Sequence, residues 1–290
     1  MELWFLYAVG AAVFAGATAI LSKIGLNGVD SHLATAIRTI AVLAFTWLIV
    51  IVYGSGYTIR YIDGRTWVLM ILSGLCAGGS WLCYFRALKF GDVNKVVPIS
   101  KNSTILTMLI AFVFLGEPVR LITAVGIFLM LVGAWLMMEK AKKPTADRPS
   151  GKSWMFFAIM AAVFASLTAI FGRMGVTEMN AQLWTAIRTA VIVPMSWMMV
   201  FIAGTQTGIK AISRKNWIFL ILSGMATGMS WLFFYGALQI GYASHVVPID
   251  RLSILFTMAF ARIFLGERFT VRSLIGLALL TTGILTPVLI

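Results

Sequence analysis

The chain has 290 residues, 60% of them hydrophobic and 11% charged, with a formal net charge of +13 and a mean hydropathy of +0.95. An ordinary soluble domain carries about 25% charged residues, so these figures exclude one; they also exclude a disordered chain, and two cysteines exclude a disulfide scaffold. Excess positive charge in so apolar a chain is expected in the loops that flank membrane helices, so it predicts a lipid bilayer as partner and no nucleic acid.

In chain order, the apolar runs predict ten membrane helices. Five lie at 4–21, 33–53, 67–88, 96–115 and 122–138, and five more at 154–171, 183–202, 217–238, 246–265 and 273–289. Each is about 17–22 residues, enough for roughly 30 Å of hydrocarbon. Turn chemistry separates them, as at Gly54-Ser55-Gly56 and Gly116-Glu117-Pro118. Trp4, Trp67, Trp154 and Trp217 open spans, where an amphipathic ring suits the headgroup level. The first span lacks a charged leader and a small-residue cleavage site and reads as a retained helix. Cys76 and Cys83 share one span, about 10 Å apart along a helix, too far for a bridge.

Sliding the chain by 150 positions aligns 4–139 with 154–289 without a gap, at 49 identities in 136 pairs. Thr35-Ala36-Ile37-Arg38-Thr39 returns as Thr185-Ala186-Ile187-Arg188-Thr189, and Ser80-Trp81-Leu82 as Ser230-Trp231-Leu232. Val96-Val97-Pro98-Ile99 and Phe114-Leu115-Gly116-Glu117 return at 246–249 and 264–267. Residues 1–139 and 154–290 are thus two copies of one unit, joined by a basic linker over 140–153. Five spans per copy is an odd number, so the second copy should enter the bilayer from the opposite face. The predicted fold is all-α, with ten transmembrane helices in two inverted five-helix repeats, an architecture used by many secondary transporters.

These repeated motifs, with Val246-Val247-Pro248-Ile249-Asp250-Arg251 and the terminal Phe-Leu-Gly-Glu of each half, resemble the drug/metabolite transporter superfamily of EamA type. The likeness is to its small single-repeat members joined head to tail, and it spans nearly the whole chain. It implies secondary transport of small organic solutes such as amino acids, nucleobase-like compounds or sugar phosphates, without choosing one. The first half departs from the pattern, with Ser100-Lys101 where the second has Asp250-Arg251.

Ionisable residues within a span are costly and usually face a wet interior. Arg38 and Lys101 lie about a turn and a half into helices that start from one face; Arg188, Asp250 and Arg251 lie equally deep from the other. One polar cluster near each face suits a pair of gates. Asp250, the one carboxylate clearly within a span, reads either as a proton-coupling or cation site or as a local ion pair with Arg251 or Arg188. Four basic groups against one acid favour an anionic or zwitterionic substrate. Trp81 and Trp231, each after a serine, read either as rings lining a central cavity, with Ser80 and Ser230 offering hydroxyls, or as packing residues beside Gly74-xxx-Gly78 and Gly224-xxx-Gly228. Tyr84, Phe85, Phe234 and Tyr235 read as packing. Pro98 and Pro248 sit about one turn into their helices, where proline is tolerated, or else unwinds the backbone into a hinge beside each gate. Arg86 and Arg262, near helix ends, are expected to snorkel to the interface.

His32 and His245 lack partners at metal-ligand spacing, and no nucleophile motif or phosphate loop occurs, so no enzyme activity, metal or cofactor is expected. Energy would come from a proton or exchange gradient. A translocase for lipid or lipid-linked headgroups is the alternative reading. The expected location is the inner membrane, with the chain acting as a monomer and a dimer as the alternative. Orientation is divided. The four basic loop residues on the face of the N-terminus against thirteen on the other favour a cytoplasmic linker face, whereas the family resemblance implies the reverse.

Overall fold

The computed structural model describes residues 3–90, 96, 103–116, 121–137, 153–266 and 269–289. Within them the chain is helical, with no strand. The first half carries α1 (Leu3–Gly25), α2 (Ser31–Val52), α3 (Gly64–Phe90), α4 (Ser103–Phe114) and α5 (Leu121–Met137). The second carries α6 (Ser153–Val176), α7 (Ala181–Ala203), α8 (Arg214–Ile240), α9 (Ala243–Asp250), α10 (Ser253–Leu265) and α11 (Val271–Leu289). Of these, α1, α2, α3, α6, α7 and α8 are long and apolar enough to cross a membrane, and α4, α5 and α11 contain shorter apolar helices.

The starts of α3 and α8 and the ends of α2 and α7 match because the same local chemistry acts twice. Asp63 accepts from the Thr66 N–H at the start of α3 (3.0 Å), and its mate Ser213 accepts from Asn216 at the start of α8 (3.2 Å). Gly54 and Gly204 follow α2 and α7 in the left-handed region (φ 64° and 69°), where a side chain would be strained. Each then leads into a 3₁₀ turn, Ser55–Tyr61 or Gln206–Ala211.

The halves interlock. Each long helix packs chiefly on a helix of the other half: α1 on α8, α3 on α6 and α2 on α7, with α5 on α11 beside them. In a membrane, association rests on close packing and interhelical hydrogen bonds rather than on water exclusion. Small residues supply both. A Cβ added to Gly74 would lie 2.8 Å from Val191 Cβ, and one added to Gly224 would lie 2.5 Å from Ala41 Cβ. Along α1 and α8, Ser22 meets Ser223 (2.6 Å), Thr18 meets Thr227 (3.4 Å), and Ser230 donates to the Ala11 carbonyl (2.9 Å). Rising numbers on one helix meet falling numbers on the other, so the pair is antiparallel. Ser73 with the Thr168 carbonyl (3.0 Å) and Ser80 with the Ala161 carbonyl (2.8 Å) repeat the pattern on α3 and α6.

The predicted span 246–265 is broken in two. Pro248 stands sixth of eight residues in α9, beyond the tolerated first turn, because the helix starts at Ala243. Past it the backbone tightens to i→i+3 bonds: Arg251 to Pro248 (2.9 Å), Leu252 to Ile249 (2.8 Å) and Ile254 to Arg251 (3.1 Å). The chain turns at Arg251 and Leu252 and resumes as α10. The corresponding region of the first half, with Pro98 and Lys101, lies outside the described residues.

Candidate functional site

The Thr-Ala-Ile-Arg-Thr motif of α7 is buried on all sides. Thr185 and Thr189 satisfy their hydroxyls locally, donating to the Ala181 and Thr185 carbonyls (2.7 Å each). Arg188 has no such recourse. It is 3% exposed, and its Nε donates to Ser73 Oγ on α3 (3.1 Å). Its guanidinium carbon lies 5.0 Å from the Trp231 ring centre and 5.2 Å from that of Tyr235. Two aromatic faces and one hydroxyl offset part of the burial of a permanent cation. Its Nη1 is buried with no hydrogen-bond partner among the described residues.

Asp250 closes α9 and Arg251 opens the turn after it. Arg251 Nε donates to Thr104 Oγ1 (2.6 Å) and Nη2 to Ser103 Oγ (3.4 Å), both on α4. Arg188 and Asp250 are each the eighth residue of their helix. The two helices start at one end of the bundle: Gln239 Nε2 donates to the Met179 carbonyl (3.0 Å), and Arg173 donates to the Leu238 and Gln239 carbonyls, tying the α6–α7 turn to the end of α8.

Between these groups lies a cavity of about 240 Å³. Its wall takes Ala15 from α1, Ser103 and Thr107 from α4, and Ala165, Thr168 and Ala169 from α6. Arg188 of α7, Ser230, Trp231, Phe234 and Tyr235 of α8, Val247 and Asp250 of α9, and Arg251 complete it. Both halves contribute. Most hydroxyls facing it are already engaged: Thr107 donates to the Ser103 carbonyl (2.8 Å), Thr168 to Phe164 (3.0 Å) and Ser230 to Ala11 (2.9 Å). Among the described residues, the charged groups of its wall are Arg188, Arg251 and Asp250. A larger, more open groove of about 500 Å³ runs past Lys23, Asn27, Lys215 and Asn216 at the loops and holds none of the predicted site residues.

Of the residues singled out in the sequence, Arg188, Ser230, Trp231, Asp250 and Arg251 meet at this cavity, with Pro248 one turn behind. Arg38, Ser80 and Trp81 are not in its wall. Arg38 is half-buried and donates from Nη2 to Thr227 Oγ1 (2.9 Å). The Ser80 and Ser230 hydroxyls both bond a carbonyl across a helix pair, a packing use. Phe234 and Tyr235, read as packing residues, face the cavity. Ser73, Ser103 and Thr104, which orient the two arginines, were not singled out. Ser73 sits in a repeated Ile-Leu-Ser-Gly and Ser103 recurs as Ser253, the one sequence signal that marks either; Thr104, whose mate is Ile254, carries none.

The EamA-like transporter family matches residues 2–139 and again 152–288. An uncharacterised transporter of Sinorhizobium, named for its place in the cobO 3′ region, is 40% identical over 134 residues, which are 46% of this chain and 95% of that protein. Among solved structures, a crystal structure with 16% identity superposes at a TM-score of 0.85, covering 99% of this chain and 96% of its own; at that identity it speaks for the fold alone.

Proposed function

Since the chain belongs to the EamA-like transporter family and is a multi-pass membrane protein, we propose that it moves a small polar organic solute across the membrane by alternating access. The observation that carries this reading is the cavity between the halves, with three charged side chains and three aromatic rings where lipid-facing helices would offer only hydrocarbon.

The two units at 1–139 and 154–290, joined by 140–153, act in this reading as inverted repeats of five spans each. The antiparallel packing of α1 on α8 supports it. Short connections make successive spans alternate, so α1 and α3 run alike, and α8, the mate of α3, then runs against it. The tight i→i+3 turn after α9 lies at the cavity, a position at which irregular backbone is tolerated within a bilayer. Pro248 serves there as a hinge, and Pro98 takes the same part in the first half. Arg38 and Lys101 form the opposite gate, with Ser80 and Trp81 lining the path from that side. Asp250 couples transport to a proton or counter-solute. The inner membrane is the proposed location.

Reconstitution into proteoliposomes tests the reading. Saturable uptake of a water-soluble compound into the lumen supports it, whereas transfer of a lipid between leaflets without luminal uptake overturns it. Asp250→Asn tests the coupling role: we expect loss of the pH dependence of uptake, and an unchanged pH profile would assign Asp250 to packing.

A further inference from the structure

We infer that Arg188 is the anchor for a carboxylate on the solute, so that the cavity selects small monoanionic organic acids over their neutral analogues. This rests on the transporter reading and specifies the ligand of the same site. Four observations carry it. The guanidinium is fixed before any ligand arrives: Nε is held by Ser73 Oγ at 3.1 Å, and the faces of Trp231 and Tyr235 lie 5.0 and 5.2 Å away. Arg188 belongs to the wall of a cavity, its Nη1 is buried with no hydrogen-bond partner among the described residues, and a guanidinium cannot relieve that by losing its proton. An acceptor from outside the chain is what the geometry lacks, and a planar carboxylate matches the planar fork.

The charge of the wall sets the ligand's charge. Among the described residues of the wall, Arg188 and Arg251 against Asp250 leave a formal excess of one positive charge, matched by one carboxylate. A dianion such as a phosphate monoester would meet the Asp250 carboxylate in the same wall. Size and polarity follow from the remaining surface. At about 240 Å³ the cavity is below the roughly 300–1,000 Å³ of drug-sized sites, and Phe234, Val247 and Ala165 offer contact to an apolar body. Arg188 is therefore a substrate-binding residue, whereas its position within the span alone had placed it at a gate.

The test uses the purified full chain in detergent and matched acid and amide pairs: butyrate with butyramide, hexanoate with hexanamide, benzoate with benzamide, and phenylacetate with phenylacetamide. Calorimetric titration should find at least one acid bound ten-fold or more tightly than its amide, and Arg188→Gln should abolish that ratio. If no acid outbinds its amide, the inference is overturned, and this comparison needs no variant to fold. Ser73→Ala, which leaves the charge and removes its orienting acceptor, should narrow the ratio several-fold. Uptake of the best acid by proteoliposomes separates this inference from the transport reading. Binding without uptake keeps the anchor and overturns transport; uptake of acid and amide alike keeps transport and overturns the anchor.

Discussion

The two arginines of the duplicated motif began as one residue and now live differently, and the cause lies in neighbours outside the motif. In the second half, Arg188 reaches Ser73 and lies over Trp231 and Tyr235. In the first half the mate of that serine, Ser223, is taken by Ser22 at 2.6 Å. Arg38 turns instead to Thr227, whose own mate is Ala77. The mate of Ser22 is Gly172, and a Cβ there would lie 2.6 Å from the Tyr235 ring. The absence of a side chain at position 172 thus admits Tyr235 and leaves no hydroxyl there to compete for Ser73. A duplicated unit acquires distinct sites by changing what surrounds a kept residue, and the arginine itself gives no sign of it.

The largest expected effect compares the arginines directly. Arg188→Gln removes a charged hydrogen bond of about 1.5–3 kcal/mol and a desolvated cation–π pair of about 2 kcal/mol. Uptake by proteoliposomes should therefore fall by about 300-fold or more. Arg38→Gln loses the charged Thr227 bond, and the fall should be about 10- to 100-fold. Equal losses would mean that the halves work symmetrically and that the second-half cavity has no special place.

Next comes the exchange of the residues that divide the halves. Gly172→Ser forces a side chain against the Tyr235 ring, and overpacking of this kind costs about 1–3 kcal/mol. The unfolding midpoint in detergent should drop, and solute affinity should drop with it as Tyr235 leaves Arg188. The reverse change, Ser22→Gly, removes one interhelical hydrogen bond of about 0.6 kcal/mol and should barely move either measurement. A stable Gly172→Ser protein with unaltered affinity would break the causal link between Gly172 and the placement of Tyr235.

The smallest effect separates the paired caps. The backbone N–H of Thr66, which donates to Asp63 Oδ1 at 3.0 Å, helps hold the Asp63 carboxylate below its ordinary range. A carboxylate depressed in the folded state stabilises above its unfolded pKa, and that stability is lost as pH falls through the folded value. The difference in unfolding midpoint between wild type and Asp63→Ala should therefore be constant near neutrality and close in acid. The corresponding difference for Ser213→Ala should show no such closure, since a hydroxyl does not titrate. Parallel curves for the two variants would remove Asp63 as a charged cap.

Much of this architecture is legible in the sequence because lipid imposes it locally. A run long and apolar enough to cross hydrocarbon must satisfy its own backbone, so α1, α2, α3, α6, α7 and α8 are readable from hydropathy alone. The duplication is readable because Trp, Pro, Arg and Glu recur at one offset. Of the site, charge was the visible part: Arg188, Asp250 and Arg251 stand out in an apolar chain and do meet at one cavity. The break between α9 and α10 was half visible, as a proline whose effect depended on where the helix began. Ser103, Thr104 and Tyr235 were hidden, since small hydroxyls and aromatic rings are ordinary on any packed helix.

What the sequence determined by itself is the helical class, the two-copy organisation and the presence of charges inside the apolar spans, all consequences of composition and of repeats along one strand of chain. What only the tertiary structure decided is which charges share a space. Ser73 and Arg188 are 115 residues apart and Arg251 and Thr104 are 147 apart, and such pairings arise from the interlocking of helices from different halves. Their geometry depends on the shape left by small residues at each crossing, and no local pattern encodes that shape.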